Sequence, residues 1–449
     1  MMVRYPSYKP SGIEWLGKIP EHWEVIPLKH NCYMKGRIGW QGLKQSEFID
    51  EGPFLITGMN FLNGMMNWED CYHISEERYR EDPAIHVAEG DVLITKDGTI
   101  GKLLFIDHLP GRTTLNSHLL IIRSLNKRYD SKYLYYQLSS KYFNSFIDQQ
   151  KTGTTFYGIS QNALENYRSI TPSFQEQVLI KNYLDNKTQF IDTLIAKKQK
   201  LIELLKEYRT AIINRAVTKG LDPNVKMKDS GIEWLGEVPE NWEVIRIHSL
   251  GRFSKGRGIS KEQTLPIGLP CIRYGEIYTK YDRIVYSTIS FISHETSNQS
   301  ESIKKGDVLF TGSGETIEDI GKSVVYYGDG EIFVGGDIII LRLIKEVHPV
   351  FISYLMNCHY VIFQKSLVGK GEIIVHIYSK DLKDIIISIP GYNEQNQIVN
   401  YLDKKTADID AQIEKEKKFI EYLKEYRTAL ISEVVTGKVD VRDYSLNTA

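Results

Sequence analysis

The tripeptide Lys-Gly-Arg occurs twice in this 449-residue chain, as Lys35-Gly36-Arg37 and as Lys255-Gly256-Arg257. Each copy soon follows the same short segment, E-V-I. A glycine turn lets neighbouring cations approach a phosphate backbone closely, and Lys and Arg also hydrogen-bond to base edges. The repeated tripeptide therefore predicts a nucleic-acid contact. Its alternative interpretation is a turn glycine between two solvated charges.

A second pair of loops combines a lysine with glycine. These loops are Lys151-Thr152-Gly153-Thr154-Thr155 and Lys370-Gly371-Glu372, each shortly before a short apolar strand. Trp40, Gln41, Arg273 and Tyr274 could add base-edge or stacking contacts. Lys96 and Lys322 are further cations, in the two segments that begin with G-D-V-L. The complete set of candidate DNA-binding residues is Lys35, Arg37, Trp40, Gln41, Lys96, Lys151, Thr154, Thr155, Lys255, Arg257, Arg273, Tyr274, Lys322 and Lys370.

Sequence signatures of catalysis are missing. The chain has no G-x-G-x-x-G after a strand, no Walker loop, no H-E-x-x-H, no G-x-S-x-G and no N-P-P-Y or D-P-P-Y tetrapeptide. The segment T-G-S-G-E-T at 311–316 is interpreted as a turn, because its repeat partner T-K-D-G lacks phosphate-loop character. Four scattered cysteines form no metal-ligand spacing. The sequence predicts that this chain alone catalyses nothing and holds no cofactor or metal.

An internal duplication organises the chain. Residues 11–28 and 230–247 agree at thirteen of eighteen positions, and residues 172–223 match residues 390–441, both containing L-K-E-Y-R-T-A. The two offsets, 219 and 218 residues, are nearly equal, so one unit occurs twice. The inserts between these segments, 29–171 and 248–389, differ strongly. This contrast indicates one task performed on two targets, with neutral drift in loops as the alternative.

The inserts have the patterns of mixed domains. Each contains a Tyr-rich, helical piece, at 131–146 and at 350–365. Short apolar runs bounded by Gly, Pro, Asn and Asp predict strands. These runs lie at 54–57, 91–95, 119–123, 308–311 and 337–343.

Each repeated segment after its insert runs for about forty residues without Gly or Pro, which predicts a long helix. Heptad spacing predicts an antiparallel coiled coil in which Lys198 and Glu416 set the register; two surface side chains that reach solvent are the alternative. The core rows comprise Leu184, Ile191, Leu194, Leu201, Leu205, Tyr208 and Ile212 in the first helix, and Leu402, Ile409, Phe419, Leu423, Tyr426 and Leu430 in the second, with Ile195 and Ile202 beside the first row.

The predicted fold class is α+β. Two β-rich α+β domains are separated by two long antiparallel coiled-coil helices, in a tandem duplication with a pseudo-two-fold axis. The predicted boundaries are 1–171, 172–220, 221–389 and 390–449. Some thirty paired residues would span about 45 Å, compared with about 34–36 Å for one turn of B-DNA. The two ends of the chain are expected to meet and close the pseudo-symmetry.

Charge and hydropathy restrict the class of protein. The chain carries 56 Lys and Arg against 57 Asp and Glu, so any nucleic-acid surface must be local. It has no signal-peptide core and no apolar run long enough to cross a membrane, and the scattered cysteines are read as reduced thiols. These features predict a cytoplasmic location with no membrane partner.

Four motifs together resemble the specificity subunits of Type I restriction-modification enzymes. They are S-G-I-E-W-L-G with its following P and W-E, then G-D-V-L, the helix start P...E-Q..I..Y-L-D, and L-K-E-Y-R-T-A-L-I. The resemblance covers nearly the whole chain. It implies that 29–171 and 248–389 are target-recognition domains, each reading one half of a bipartite, asymmetric site in double-stranded DNA.

The resemblance also implies partners. The helices would set the spacer between the half-sites and bind two adenine-methyltransferase subunits, while two restriction or motor subunits could join them. S-adenosylmethionine, ATP and Mg would then belong to those subunits, and this chain would be a non-catalytic part of the complex.

Three other hypotheses stay open at this point. A stand-alone DNA-binding regulator with two domains would bind its site tightly without partners, and the near-neutral charge counts against it. A coiled-coil scaffold whose inserts bind proteins would lack salt-dependent DNA affinity. An enzyme with an unfamiliar active site would show methyl transfer, ATPase or nuclease activity in isolation.

Overall fold

A computed structural model describes residues 3–14, 16–37, 43–62, 64–150, 158–317, 319–371 and 374–444. The chain folds into two compact units that do not follow sequence order. Unit 1 combines Met1–Gln199 with Lys417–Ala449, and unit 2 consists of Lys200–Glu416. The four boundaries predicted from the repeats stay predictions beside this division.

Unit 1 is built on two main sheets. The four-stranded antiparallel sheet has the order Leu103–Phe105, Val92–Thr95, Leu119–Ser124, Cys32–Lys35. In the second sheet, Thr113–Leu115 pairs in parallel with Ile49–Ile56, which pairs antiparallel with Tyr72–His73. Smaller pairs are Tyr8–Pro10 with Lys18–Pro20, Glu24–Pro27 with Arg168–Thr171, and Phe61–Leu62 with Met65–Met66. Its short helices are Glu76–Arg80, Ser131–Leu138, Lys141–Gln150 and Gln161–Glu165.

Unit 2 repeats this plan. Its first sheet has the order Gly251–Lys255, Ile338–Leu343, Val308–Thr311, Ser323–Tyr326, Ile284–Val285. Its second has the order Ser290–Ile292, Leu269–Ile272, Ile332–Val334, Glu301–Ile303, with the middle pair parallel. Smaller pairs are Met227–Asp229 with Glu237–Pro239, Glu243–Arg246 with Ile386–Ile389, and Ser313–Gly314 with Val375–His376. Its short helices are Tyr274–Thr279, His294–Ser297, Pro349–Met356, His359–Val368 and Ser379–Lys383.

The predicted α+β class is confirmed, with one correction to the helical pieces of the inserts. Each Tyr-rich segment forms two short helices rather than one. The first breaks at Ser139 and Ser140, and the second breaks at Asn357 and Cys358. Asn357 donates its amide to the backbone oxygen of Ser323 and accepts from that residue's N–H at 3.0 Å, so the break ties the helices to a strand.

The repeated G-D-V-L motif forms an ion pair in each unit. Its glycine has a positive φ, 87° at Gly90 and 94° at Gly306, which lets the chain turn into the buried strand that follows. Arg123 approaches the buried carboxylate of Asp91 to 2.7 Å, and Arg342 approaches that of Asp307 to 2.8 Å. These charge-assisted hydrogen bonds are the largest cause that raises the pKa of each guanidinium.

The repeated tryptophan and E-Q motifs meet in space within each unit. In unit 2, Trp242 is buried and donates Nε1–H to Glu394 Oε1 at 3.1 Å. In unit 1, the equivalent carboxylate, Glu176, instead accepts from Tyr5 at 2.7 Å and contacts His22 at 2.9 Å. In each unit, these contacts join the segment that carries the tryptophan to the start of the long helix.

The long helices extend over Phe174–Lys219 and Tyr392–Val435. Within unit 1 their segments run antiparallel, with Asp192 2.9 Å from Arg427 and Lys198 5.2 Å from the Phe419 ring centroid. Within unit 2 they also run antiparallel, because Arg209 lies 2.9 Å from Asp410 while Ile213 shares a core with Leu402. Each pair joins the arginine of L-K-E-Y-R-T-A to an aspartate of the other helix.

In each long helix, one of the two heptad positions predicted for the core is wrong by one residue. Tyr208, Phe419 and Tyr426 are exposed, although the pattern placed them in the core. The inward-facing residues follow a step of four and then a step of three, as from Leu184 to Thr188 to Ile191. The predicted pattern has these two steps in the opposite order. Buried positions include Leu184, Thr188, Ile191, Ile202, Leu402, Thr406, Ile409, Ile413, Ile420 and Leu430.

Residues near the two ends of the chain meet within unit 1, as expected. The N–H of Asp440 donates to the oxygen of Val3 at 2.9 Å, and Tyr8 donates to the oxygen of Gly437 at 2.9 Å. None of the helices within the described ranges is long and apolar enough to span a bilayer. All four cysteines are buried and unpaired.

Lys365 in unit 2 provides a prediction about pH. Its ammonium is 1% exposed and donates to the oxygens of Gly321 and Met356, and burial lowers its pKa to about 7. An unfolded lysine has a pKa of about 10.4, so between pH 7 and 10 the unfolded chain binds one more proton. Raising the pH from 7 to 9 should therefore stabilise the wild type relative to Lys365→Met, by about 1.4 kcal/mol per pH unit.

Hydrogen exchange of peptides from unit 2, followed in both proteins at pH 7, 8 and 9 and corrected for the intrinsic exchange rate at each pH, measures this difference. Parallel pH profiles would show that the lysine keeps its ordinary pKa in the folded unit.

Candidate nucleic-acid interface

The first Lys-Gly-Arg copy does not present two cations. Lys35 is half-buried at the end of its strand, whereas Arg37 is 1% exposed. The Arg37 guanidinium donates to the oxygen of Leu115 at 3.0 Å and to Thr114 Oγ1 at 3.4 Å, and burial lowers its pKa. Arg37 therefore stabilises the second sheet from the protein interior. This corrects the prediction that it faces DNA.

The second copy exposes both cations. Lys255 ends the edge strand Gly251–Lys255 of the first sheet, and Arg257 lies in the following loop. A Cβ at Gly256 would lie 2.1 Å from the oxygen of Gly335, and one at Gly36 would lie 2.7 Å from that of Leu119. In each copy the neighbouring backbone, at Leu119 or at Gly335, leaves no room for a side chain. This close approach, and not a phosphate, explains the glycine.

The loop after this copy holds a strained residue. Ile259 has a φ of 59°, in the left-handed region that β-branched residues rarely adopt, and its side chain is buried beside Cys271 and Ile292. The neighbouring Gly258 accepts a hydrogen bond from the N–H of Gly336 at 3.0 Å. These contacts compensate for the backbone strain at Ile259.

Several other candidates are placed differently. Lys322 is half-buried, and burial lowers its pKa. It donates to the backbone oxygens of Tyr278 and Tyr281 at 3.3 and 2.9 Å, so it stabilises a loop instead of reaching solvent. Lys96 is half-buried after the strand Val92–Thr95, and Lys370 is exposed beside His376. The candidates Trp40, Gln41, Lys151, Thr154 and Thr155 lie outside the described residues.

Three predicted residues of unit 2 meet at one groove. Lys255, Arg273 and Tyr274 line it together with two cations that the sequence reasoning missed, Lys261 and Lys280. The carboxylate of Asp337 also borders the groove. Lysines around a cleft provide phosphate contacts, while arginine and tyrosine provide base-edge and stacking contacts. This groove is the strongest candidate for a DNA-contacting surface among the described residues.

Glu276 orients the arginine of this groove. Its Oε1 lies 2.8 Å from the Arg273 Nη2 and accepts from Nε at 2.9 Å, and its Oε2 accepts from the Arg273 backbone N–H at 3.1 Å. Ser290 donates to the same carboxylate at 2.5 Å. The sequence signal for this pair is its i, i+3 spacing at the start of the helix Tyr274–Thr279, and a pattern of cationic loops does not contain Glu276.

The predicted register pair stays a prediction. Lys198 lies near the Phe419 ring, and Glu416 is 9% exposed. Within the described part of the chain, no group of three or more His, Cys, Asp or Glu side chains could hold a metal ion.

Comparison with known proteins gives a consistent result. The family model for the Type I restriction modification DNA specificity domain matches residues 20–204 and 239–421. The Type I restriction enzyme MjaVIII specificity subunit of Methanocaldococcus jannaschii is 24% identical, over 99% of this chain and 99% of that protein. The EcoKI specificity subunit of Escherichia coli is 22% identical, over 89% of this chain and 85% of that protein.

Solved structures share the fold. A chain from a study of complex assembly and conformational transition of the type I R-M system has a TM-score of 0.71 at 15% identity, covering 94% of this chain and 99% of that one. The HsdS subunit from Thermoanaerobacter tengcongensis has a TM-score of 0.53 at 15% identity, covering 94% and 98%. The hypothesis of a stand-alone regulator is not favoured by these relatives. The chain belongs to the Type I restriction-modification specificity family, as its non-catalytic DNA sequence specificity subunit.

Proposed function

We propose that each unit reads one half of a bipartite, asymmetric site in double-stranded DNA. The observation that carries this proposal is a shared scaffold with different chemistry at one position. In both units, the strand that pairs in parallel leads into a short helical turn, Gly58–Asn60 in unit 1 and Tyr274–Thr279 in unit 2. The residues before these turns are Thr57 and Arg273, so the same scaffold carries a buried threonine in unit 1 and a partly exposed arginine in unit 2.

The cofactors of the reaction belong to partner subunits in this proposal. Two adenine-methyltransferase subunits use S-adenosylmethionine to methylate one adenine in each half-site, and two motor subunits supply ATP- and Mg-dependent cleavage in the cytoplasm. The near-neutral charge of this chain, −1, supports such a division, because non-specific DNA affinity depends on phosphate neutralisation by cations. The partners would supply much of that charge.

Two equivalent exposed faces support binding of two methyltransferase subunits. In unit 1, Tyr422 and Tyr426 lie one helical turn apart and are 65% and 50% exposed. Leu204 and Tyr208 occupy the equivalent positions in unit 2 and are 48% and 58% exposed. Exposed aromatic side chains on a helix are typical of a surface that another helix covers. Because the face occurs twice, it would bind two copies of one partner.

DNA selection from a randomised duplex library tests the proposed function. The chain alone should enrich no motif, whereas its complex with the methyltransferase should enrich a bipartite motif and bind with a steep salt dependence. Tight, sequence-specific binding by the isolated chain would contradict the division of labour and favour a regulator.

The long helices are proposed to set the spacer between the half-sites. Deleting seven residues from each helix at equivalent positions, 195–201 and 413–419, removes about 10.5 Å and keeps the heptad phase. We expect the accepted spacer to shorten by about three base pairs, with both half-sites unchanged in the methylated motif.

Deletion of four residues from each helix is the matched control, because it breaks the heptad phase and should abolish methylation. An altered half-site sequence in the seven-residue deletion would contradict the role of the helices as a spacer.

A further inference from the structure

We propose that Arg273, held by Glu276, recognises a guanine in the half-site that unit 2 reads. This inference rests on the proposed function of the two units. It adds the identity of one base and the side chain that reads it. Bidentate contact of arginine with guanine O6 and N7 is the commonest base-specific contact in the major groove.

The geometry of the pair prepares the arginine for such a contact. The carboxylate of Glu276 is 5% exposed and engages Nε and Nη2 of Arg273, so the guanidinium is fixed on that edge. A planar guanidinium has five N–H donors, so its two terminal nitrogens keep N–H groups on the other edge for a base. Arg273 is 28% exposed and lines the groove. A guanidinium held in this way loses little conformational freedom when it meets a base.

The carboxylate is itself held in place. Ser290 donates to Oε1 of Glu276, while the backbone N–H of Arg273 donates to Oε2 at 3.1 Å. Two donors outside the guanidinium therefore fix Glu276, and Glu276 in turn fixes the arginine. Such support distinguishes a positioned reading group from a mobile surface arginine.

The rest of the groove favours a base over a phosphate as the partner of Arg273. Lys255, Lys261 and Lys280 line the same groove and are long, singly charged side chains suited to phosphate oxygens. Tyr274 follows Arg273 directly, is 43% exposed and offers a ring for stacking. The planar fork of Arg273 is the group among them that distinguishes guanine from adenine.

Unit 1 has the same local frame without the arginine. Thr57 occupies the position of Arg273, and its backbone N–H donates to Asn60 Oδ1 at 2.8 Å, as that of Arg273 donates to Glu276. Thr57 and Asn60 are both buried and uncharged. The half-site of unit 1 therefore serves as an internal control for changes at Arg273.

The experiment is N6-methyladenine sequencing of DNA methylated by the complete methyltransferase complex, with wild type, Arg273→Ala, Arg273→Lys and Glu276→Gln. We expect the wild-type motif to contain a guanine that Arg273→Ala relaxes to any base. Discrimination should fall by about 5- to 150-fold at that position, as expected for one bidentate pair, and the other half-site should not change. Arg273→Lys should keep only part of the discrimination, because the ammonium still donates to guanine but lacks the planar fork. Glu276→Gln, which weakens the clamp, should relax the same guanine partially.

Arg252→Ala removes an exposed arginine of unit 2 outside the groove and should leave the motif unchanged. A motif without guanine, or one that Arg273→Ala and Arg273→Lys both leave intact, would overturn this inference while the two-unit function stands. Absence of any methylated motif from the wild-type complex would instead refute the proposed function itself.

Discussion

Replacing Arg123 with alanine is expected to destabilise unit 1 by about 3–5 kcal/mol and to leave unit 2 folded. The physical reason is the carboxylate that stays behind. Asp91 is 1% exposed and lies 2.7 Å from the guanidinium, so its charge would remain buried with little compensation beyond the N–H of Ala88. Arg342→Ala should have the same effect in unit 2, where the carboxylate of Asp307 is 5% exposed.

Hydrogen exchange followed by mass spectrometry, with peptides assigned to each unit, measures the two effects separately. A single melting temperature would not do so, because a two-unit chain need not unfold in one step. Arg128→Ala and Arg246→Ala are matched controls, since they break the exposed pairs with Glu24 and Asp384 and should cost less than about 1 kcal/mol. Equal protection loss in both units after Arg123→Ala would contradict the assignment.

The double variant Tyr422→Ala/Tyr426→Ala is expected to remove one methyltransferase subunit from the complex. Aromatic side chains at the centre of an interface commonly contribute about 2 kcal/mol or more each, so affinity at this face should fall by about a hundred-fold or more. Leu204→Ala/Tyr208→Ala should weaken the second face in the same way. Native mass spectrometry would then find one methyltransferase subunit per chain for either variant.

Glu421→Ala/Lys424→Ala provides the control, because it removes one charge of each sign from another exposed face of the same helix. That variant should bind two subunits. Retention of both subunits by the tyrosine variant would show that the partner binds elsewhere.

Much of the fold follows from the duplicated motifs. The predicted strands and helices agree with the structure wherever both copies carry the same residues, because those residues make the same contacts twice. Tyr136 donates to Asp185 in unit 1 as Tyr354 donates to Asp403 in unit 2, at 2.7 and 2.8 Å. Repetition of this kind explains why Y-L-D is kept at the start of each long helix.

The heptad prediction was wrong at positions that hold aromatic side chains. The heptad pattern places tyrosine and phenylalanine in the core, yet Tyr208, Phe419 and Tyr426 lie at the surface. The inward positions include polar groups instead, among them Thr188 and Thr406. The tyrosine side chain is large and amphipathic, so its spacing alone does not distinguish a core from a surface position. The exposure of Phe419 has no explanation of this kind.

The candidate interface was predicted least well where tertiary context decides burial. Arg37 and Arg257 belong to identical tripeptides, but only Arg37 is enclosed, beneath Thr114 and Leu115 of the neighbouring sheet. The role of Glu276 depends on the turn that brings its carboxylate back to Arg273, and a search for cations alone cannot find it. Loops with the same sequence thus acquire different functions from what packs around them.

The most direct test of the two-unit account is single-molecule sequencing of N6-methyladenine in cells that express this chain with and without its methyltransferase partner. The account predicts a bipartite, asymmetric motif that appears only when both proteins are present, with one methylated adenine in each half-site. Methylation of a single contiguous site, or an identical methylation pattern without this chain, would contradict it.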